Sequence, residues 1–134
     1  MYLSLLGDRQ KEGFLDLAYL LSSINNDFGD EGEMVMGSLM GELGIDYDYR
    51  AHAKTEQEIV PVLATGSDES EKKVMVFELV SIAMSDDDFD DNERAFVGRV
   101  CESFGFDTSY FSQCEDALKS YLAAQDRLSA LVLY

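Results

Sequence analysis

Apolar residues recur along this chain at spacings of three and four. Strict alternation is absent and only one proline interrupts, so the pattern is helical from end to end. Phe14, Leu17, Ala18, Leu21 and Ile24 define one face of a first long helix, which Asp8 is placed to cap. Leu15, Tyr19 and Leu20 widen that face, so this helix should be largely buried and end near Asn25. Asp30-Glu31-Gly32-Glu33 reads as a capping box opening a second helix through Met34, Met36, Leu39, Met40 and Leu43, with Gly44 as a left-handed stop. At this spacing the methionines suit core filling.

Residues 45–54 break the pattern. Thr55-Glu56-Gln57-Glu58 then opens a short helix, which Pro61 should kink or shorten and Gly66 should end. Asp68-Glu69-Ser70-Glu71 opens the most hydrophobic segment, Val74 to Met84, apolar nearly all round and therefore central. The box Asp90-Asp91-Asn92-Glu93 precedes Phe96, Val97, Val100, Cys101 and Phe104, closed by Gly105. Asp107 or Thr108 can cap a last segment running from Tyr110 to Val132. The pattern leaves open whether that segment is one helix or two with a bend near Ala123-Ala124-Gln125.

Two stretches share one grammar: buried helix, acidic turn, capping box, amphipathic helix, glycine. They span about 14–46 and 75–107, offset by about 61 residues, and Leu43-Gly44-Ile45-Asp46 echoes Phe104-Gly105-Phe106-Asp107. The expected fold is all-α, a single-domain helical bundle of about six to seven helices over residues 1–134. It is built from two pseudo-repeated helical hairpins, with the two buried helices side by side. The acidic turns would then meet near the pseudo-twofold axis or lie at opposite ends.

Charge narrows the function. With 27 acidic against 10 basic residues the net charge is -17, a field that repels nucleic acid and anionic membranes and favours cations or a basic protein partner. No run approaches a membrane span, and the start Met1 to Asp8 lacks the basic n-region of a secretory signal. Cys101 and Cys114 fall on apolar faces, as buried free thiols would in a reducing cytoplasm. His52 has no second His or Cys near it to make a metal or catalytic site. A phosphate-binding glycine loop, a nucleophile beside a base and a basic stripe are all missing from the sequence, so binding rather than catalysis is expected, with no organic cofactor.

The densest chemistry lies in Asp86-Asp87-Asp88-Phe89-Asp90-Asp91-Asn92-Glu93, where six of eight side chains are carboxylic acids. The earlier turn, Asn25-Asn26-Asp27-Phe28-Gly29-Asp30-Glu31-Gly32-Glu33, half matches it. Asp86, Asp88, Asp90 and Glu93 from one turn, with Asn25, Asp27, Asp30 and Glu33 from the other, are the candidate metal ligands. All are oxygen donors, which suit Ca²⁺, Mg²⁺ or Mn²⁺ rather than zinc. An EF-hand register fails: counting from Asp86, position six is Asp91 and position twelve is Val97, and counting from Asp88 position twelve is Arg99. Each close pair of carboxylates repels by about 1 kcal/mol at water-like screening. The following helix N-terminus offsets about 0.3–1 kcal/mol per favourably placed acid, and Arg94 can neutralise one more. Two readings stand side by side. In one, Asp90 and Glu93 simply cap a helix while Asp86, Asp87 and Asp88 face water; in the other, the surplus charge holds a cation or a basic partner.

The segment Ala83 to Glu93 resembles the loop of TerB-like (tellurite-resistance TerB) domains, which reads Ala-x-x-Asp-Gly-x-Ile/Val-Ser/Asp-x-x-Glu between a buried and an amphipathic helix. Asp86, Phe89, Asp90 and Glu93 match the motif aspartate, apolar, capping and glutamate positions. Asp87 stands where the family has glycine, and in the first turn Asn25 replaces the aspartate while Gly29 looks like a one-residue insertion. The resemblance implies a small helical, non-enzymatic bacterial domain linked to stress or tellurite resistance, with acidic metal or partner binding. The alternative function is an acidic interaction adaptor or immunity-type inhibitor with no metal site.

Overall fold

The structure is a computed structural model that describes residues 1–25, 28–85 and 89–133. Among the described residues, after a 3-10 turn at Leu3–Leu5, come six helices: α1 Asp8–Ser23, α2 Gly29–Leu43, α3 Glu56–Gly66, α4 Glu69–Met84, α5 Asp91–Ser103 and α6 Thr108–Leu133. Among the described residues there is no strand. This is the all-α bundle the apolar spacing predicts, and α6 settles the open question at its end by running as one helix.

α1 and α4 lie at the centre, against each other. α2 and α3 also pack on α1, while α5 and α6 pack on α4. Phe14, Leu15, Leu17 and Ala18 of α1 and Met75, Val76, Leu79 and Val80 of α4 are fully buried. Burying a Leu or Phe side chain contributes about 1.5–3 kcal/mol, so this central pair supplies much of the driving force for folding. Both thiols are buried and free.

Three of the four expected capping boxes form, at Thr55/Glu58, Asp68/Glu71 and Asp90/Glu93, each with both reciprocal hydrogen bonds. The fourth does not. α2 starts at Gly29 with Phe28 as its N-cap and no side-chain cap. The extra residue Gly29, at φ +42°, starts the helix one position early, leaving Asp30 inside the first turn and unable to cap it. Glu33 is free of capping duty and pairs instead with Arg50, at 2.7 Å. At α1 the N-cap is Gly7, not Asp8, and the Gly7 N–H donates to Glu71 Oε2 at 2.9 Å.

The two hairpin ends repeat faithfully. Gly44 and Gly105 take positive φ (+71° and +85°), and Ile45 N–H donates to Met40 O as Phe106 N–H donates to Cys101 O. These are the six-to-one bonds that satisfy orphan carbonyls at a helix end. Pro61 sits inside α3, which continues through it to Gly66.

Two carboxylates that no apolar pattern marks are buried. Glu78 on α4 accepts from the Met1 α-amine at 3.0 Å and from Tyr2 N–H at 2.7 Å. Asp16 on α1 accepts from the Tyr47 hydroxyl on both oxygens, at 3.0 and 3.2 Å, tying the irregular 45–54 segment to the core.

Candidate functional site

The second acidic turn leads into α5 through a complete box. Asp90 Oδ1 accepts from Glu93 N–H at 2.8 Å, and Asp90 N–H donates to Glu93 Oε1 at 3.2 Å. Asn25, at the C-terminal end of α1, reaches across to this box. Its Nδ2 donates to Asp90 Oδ2 at 2.5 Å, and its Oδ1 accepts from Asn92 Nδ2 at 3.3 Å. The two turns therefore meet, which resolves the alternative that the sequence leaves open. α1 packs on α4 with Gly7 bonded to Glu71 at one end and Asn25 to Asp90 at the other, so the C-terminal ends of the two helices lie at the same end of the bundle.

Hydrogen bonds to the ionised form hold the Asp90 carboxyl below its usual range, first the Glu93 backbone N–H and then the Asn25 amide. Asp90 is thus an anion under any ordinary condition. Arg94, expected to neutralise part of the turn, is placed otherwise. Its guanidinium lies over the Phe89 ring, 4.4 Å from the centroid, and ion-pairs with Glu115 of α6. Of the described acids, Glu115 rather than Asp91 is its principal partner.

Below the junction is a cleft of about 270 Å³ between α1, α2 and α4, lined by Ser22, Asn25, Phe28, Glu31, Ser85 and Glu93 among others. Two carboxylates, two hydroxyls and an amide share it with the apolar walls of Leu21, Val35 and Ile82. Ser22 and Ser85 carry no signal in the apolar pattern, and Glu31 and Asn92 lie in the two turns without being among the candidate ligands. Only the meeting of the two turns makes them neighbours.

Of the eight candidate ligands, Asn25, Asp90 and Glu93 come together. Asp30 and Glu33 are exposed on α2, with Glu33 turned to Arg50. Asp27, Asp86 and Asp88 lie outside the described residues. Among the described residues no three of His, Cys, Asp and Glu come together in a way that could hold a metal ion. The donor chemistry at the junction is oxygen throughout and so fits a hard cation. Asp90 uses Oδ1 on the cap and Oδ2 on the Asn25 amide, and Glu93 Oε1 accepts from the Asp90 N–H.

A second cavity, about 280 Å³, lies between α1, α3 and the 45–54 segment, with Asp16, Tyr47, Glu12, Lys54 and Arg9 on its wall. Burial raises the Asp16 carboxyl above its ordinary range against the lowering effect of the Tyr47 hydrogen bond. Tyr47 is raised in turn, by burial and by the adjacent carboxylate. His52 stacks on Tyr47, with centroids 5.4 Å apart, and is itself exposed.

No helix among the described residues is long and apolar enough to cross a membrane. The profile of a family described as Tellurite resistance protein TerB matches residues 46–116, just over half the chain, from the irregular segment through the second acidic turn into α6. No curated protein and no solved structure matches.

Proposed function

The chain belongs to the TerB family, and from that premise we propose that it works by binding rather than catalysis, holding a divalent cation where its two acidic turns join. One observation carries this reading, the Asn25–Asp90–Asn92 bridge that ties one turn to the other. The ligands proposed are Asp90 and Glu93 with Asp86 and Asp88 from the same turn, and Asn25 and Asp27 from the other. Asp30 is exposed in the first turn of α2 and Glu33 pairs with Arg50, so both are left out. A bound Ca²⁺, Mg²⁺ or Mn²⁺ would neutralise the like charges gathered there and lock the hairpins together. The proposed setting is a bacterial cytoplasm, in stress or tellurite resistance, with residues 1–134 acting as one domain.

Thermal melts in EDTA and in millimolar Ca²⁺, Mg²⁺ or Mn²⁺ test this. An ion present at 100 times its Kd adds about 2.7 kcal/mol to stability, and Asp86→Asn should reduce the gain. Identical melts under all conditions would remove the proposal. The net charge of -17 supports a second reading, a basic protein partner drawn to the same acidic end. Such a complex would associate more slowly as salt is raised, because screening shortens the reach of the field to about 8 Å at physiological ionic strength.

A further inference from the structure

The cavity between α1 and α3 contains a charge that the fold leaves without a counterion. Asp16 of α1 lies on its wall and is 5% exposed. A carboxylate offers about four acceptor sites. Both Asp16 oxygens instead share one donor, the Tyr47 hydroxyl, at 3.0 and 3.2 Å. Arg9 and Lys54 line the same cavity, yet among the described residues neither forms an ion pair or a hydrogen bond with Asp16. An anion buried without a cation is costly to fold around. The raised Asp16 carboxyl reflects that cost, with burial outweighing the Tyr47 bond.

The space beside Asp16 suits something larger than water. A water takes about 30 Å³, whereas this cavity measures about 280 Å³. Ile59, Val62 and Leu63 of α3 give it an apolar wall. Gly13 lets α3 close against α1, since a Cβ there would lie 2.5 Å from Leu63 Cδ2. Glu12, one turn before Asp16, and Glu58 add carboxylates at exposed positions. These three acids outnumber the bases Arg9 and Lys54, so the cavity favours a cation. A hard metal ion wants six or more oxygens, and the described residues gather no group of ligands for one here. An ammonium needs fewer acceptors, and a carbon chain attached to it would use the apolar wall.

We propose that this cavity binds a small primary amine in its ammonium form, the head donating to Asp16 and a short aliphatic chain lying on Ile59, Val62 and Leu63. The three N–H groups of the head satisfy acceptor sites that Tyr47 leaves open, and its charge supplies the missing counterion. Chain and wall leave water together. The site is separate from the acidic junction, because Asp16 precedes Asn25 by nine residues, about 14 Å along α1.

Titration of the nitrogen-15-labelled full chain with n-butylammonium chloride, followed through its amide resonances, tests this. Amides of Gly13, Asp16, Tyr47 and Leu63 should shift together and saturate in the millimolar range. n-Butanol keeps the chain without the charge, and tetramethylammonium keeps the charge without N–H donors. Each should bind at least about tenfold more weakly. Asp16→Asn should weaken n-butylammonium by about 10–100-fold, the worth of a charged hydrogen bond, with its remaining amides in place. The absence of saturable shifts at these amides would overturn the proposal. So would equal binding of n-butanol, tetramethylammonium or Mg²⁺ there, or a folded Asp16→Asn variant that binds n-butylammonium as the wild type does. The probes compared on the wild type read the site even if that variant fails to fold.

Discussion

Glycines within α2 give the sharpest test of how the first turn is built. Gly32 is buried, and a Cβ there would lie 2.4 Å from Phe28 Cδ2 and 2.6 Å from its Cε2. Phe28 cannot easily yield. Its ring meets Tyr19 edge-on with centroids 5.0 Å apart, neighbours Tyr49 at 6.1 Å, and carries the Arg50 guanidinium 5.2 Å above it. At Gly37 and Gly41, on the exposed face of the same helix, an added Cβ would meet nothing within 4 Å. Alanine at Gly37 or Gly41 should therefore stabilise by about 0.8–1 kcal/mol, the helix-propensity difference alone. Alanine at Gly32 gains the same propensity and loses about 1–3 kcal/mol to overpacking. Displacing Phe28 forfeits about 0.5–1.5 kcal/mol per aromatic pair as well. The net is a destabilisation of about 0.5–4 kcal/mol, opposite in sign to the effect at Gly37 and Gly41. Urea denaturation of the three single variants reads this directly, with equal slopes confirming that stability alone has changed. Because Phe28 also lines the cleft beneath Asn25, Gly32→Ala should weaken any cation-dependent shift in the melt. If Gly32→Ala stabilises as much as Gly37→Ala, Phe28 does not seat on α2 and the account of the first turn fails.

Two further outcomes concern the buried carboxylates. The Asp16 carboxyl is raised in the folded state, so the native protein binds a proton more tightly than the unfolded chain, and stability falls as pH climbs from the unfolded value into the raised range. Asp16→Asn keeps an acceptor for Tyr47 and should stabilise at pH 7, with the advantage fading in acid; denaturant midpoints at pH 7 and about pH 4 that show no such difference would contradict this. Glu78 accepts two hydrogen bonds while 4% exposed. Glu78→Ala strands the Tyr2 N–H and should cost about 1–3 kcal/mol, a loss measurable in the same assay and unaltered by EDTA.

The fold was legible in the residues because helix periodicity and capping are local. Spacings of three and four place Phe14, Leu17, Ala18 and Leu21 on one face whatever surrounds them, and a Thr or Asp three residues before a Glu closes a box within one turn. The box that failed, at Asp30, was undone by Gly29, whose one-residue shift of the helix start depends on where Phe28 packs. The duplication was legible for the same reason, since each copy repeats a local signal down to the bonds at Gly44 and Gly105.

Other features needed the folded chain. Asn25 and Asp90 stand 65 positions apart, and only the packing of α1 on α4 makes them hydrogen-bond partners. The diversion of Arg94 to Glu115, the burial of Asp16 and Glu78, and the exposure of an apolar stripe on α6 follow likewise from which surfaces neighbouring helices cover. An apolar residue reads the same in a sequence whether it meets the core, as Leu118 does, or open solvent, as Leu128 does. What differs is the presence of a neighbour, and that is a property of the tertiary structure alone.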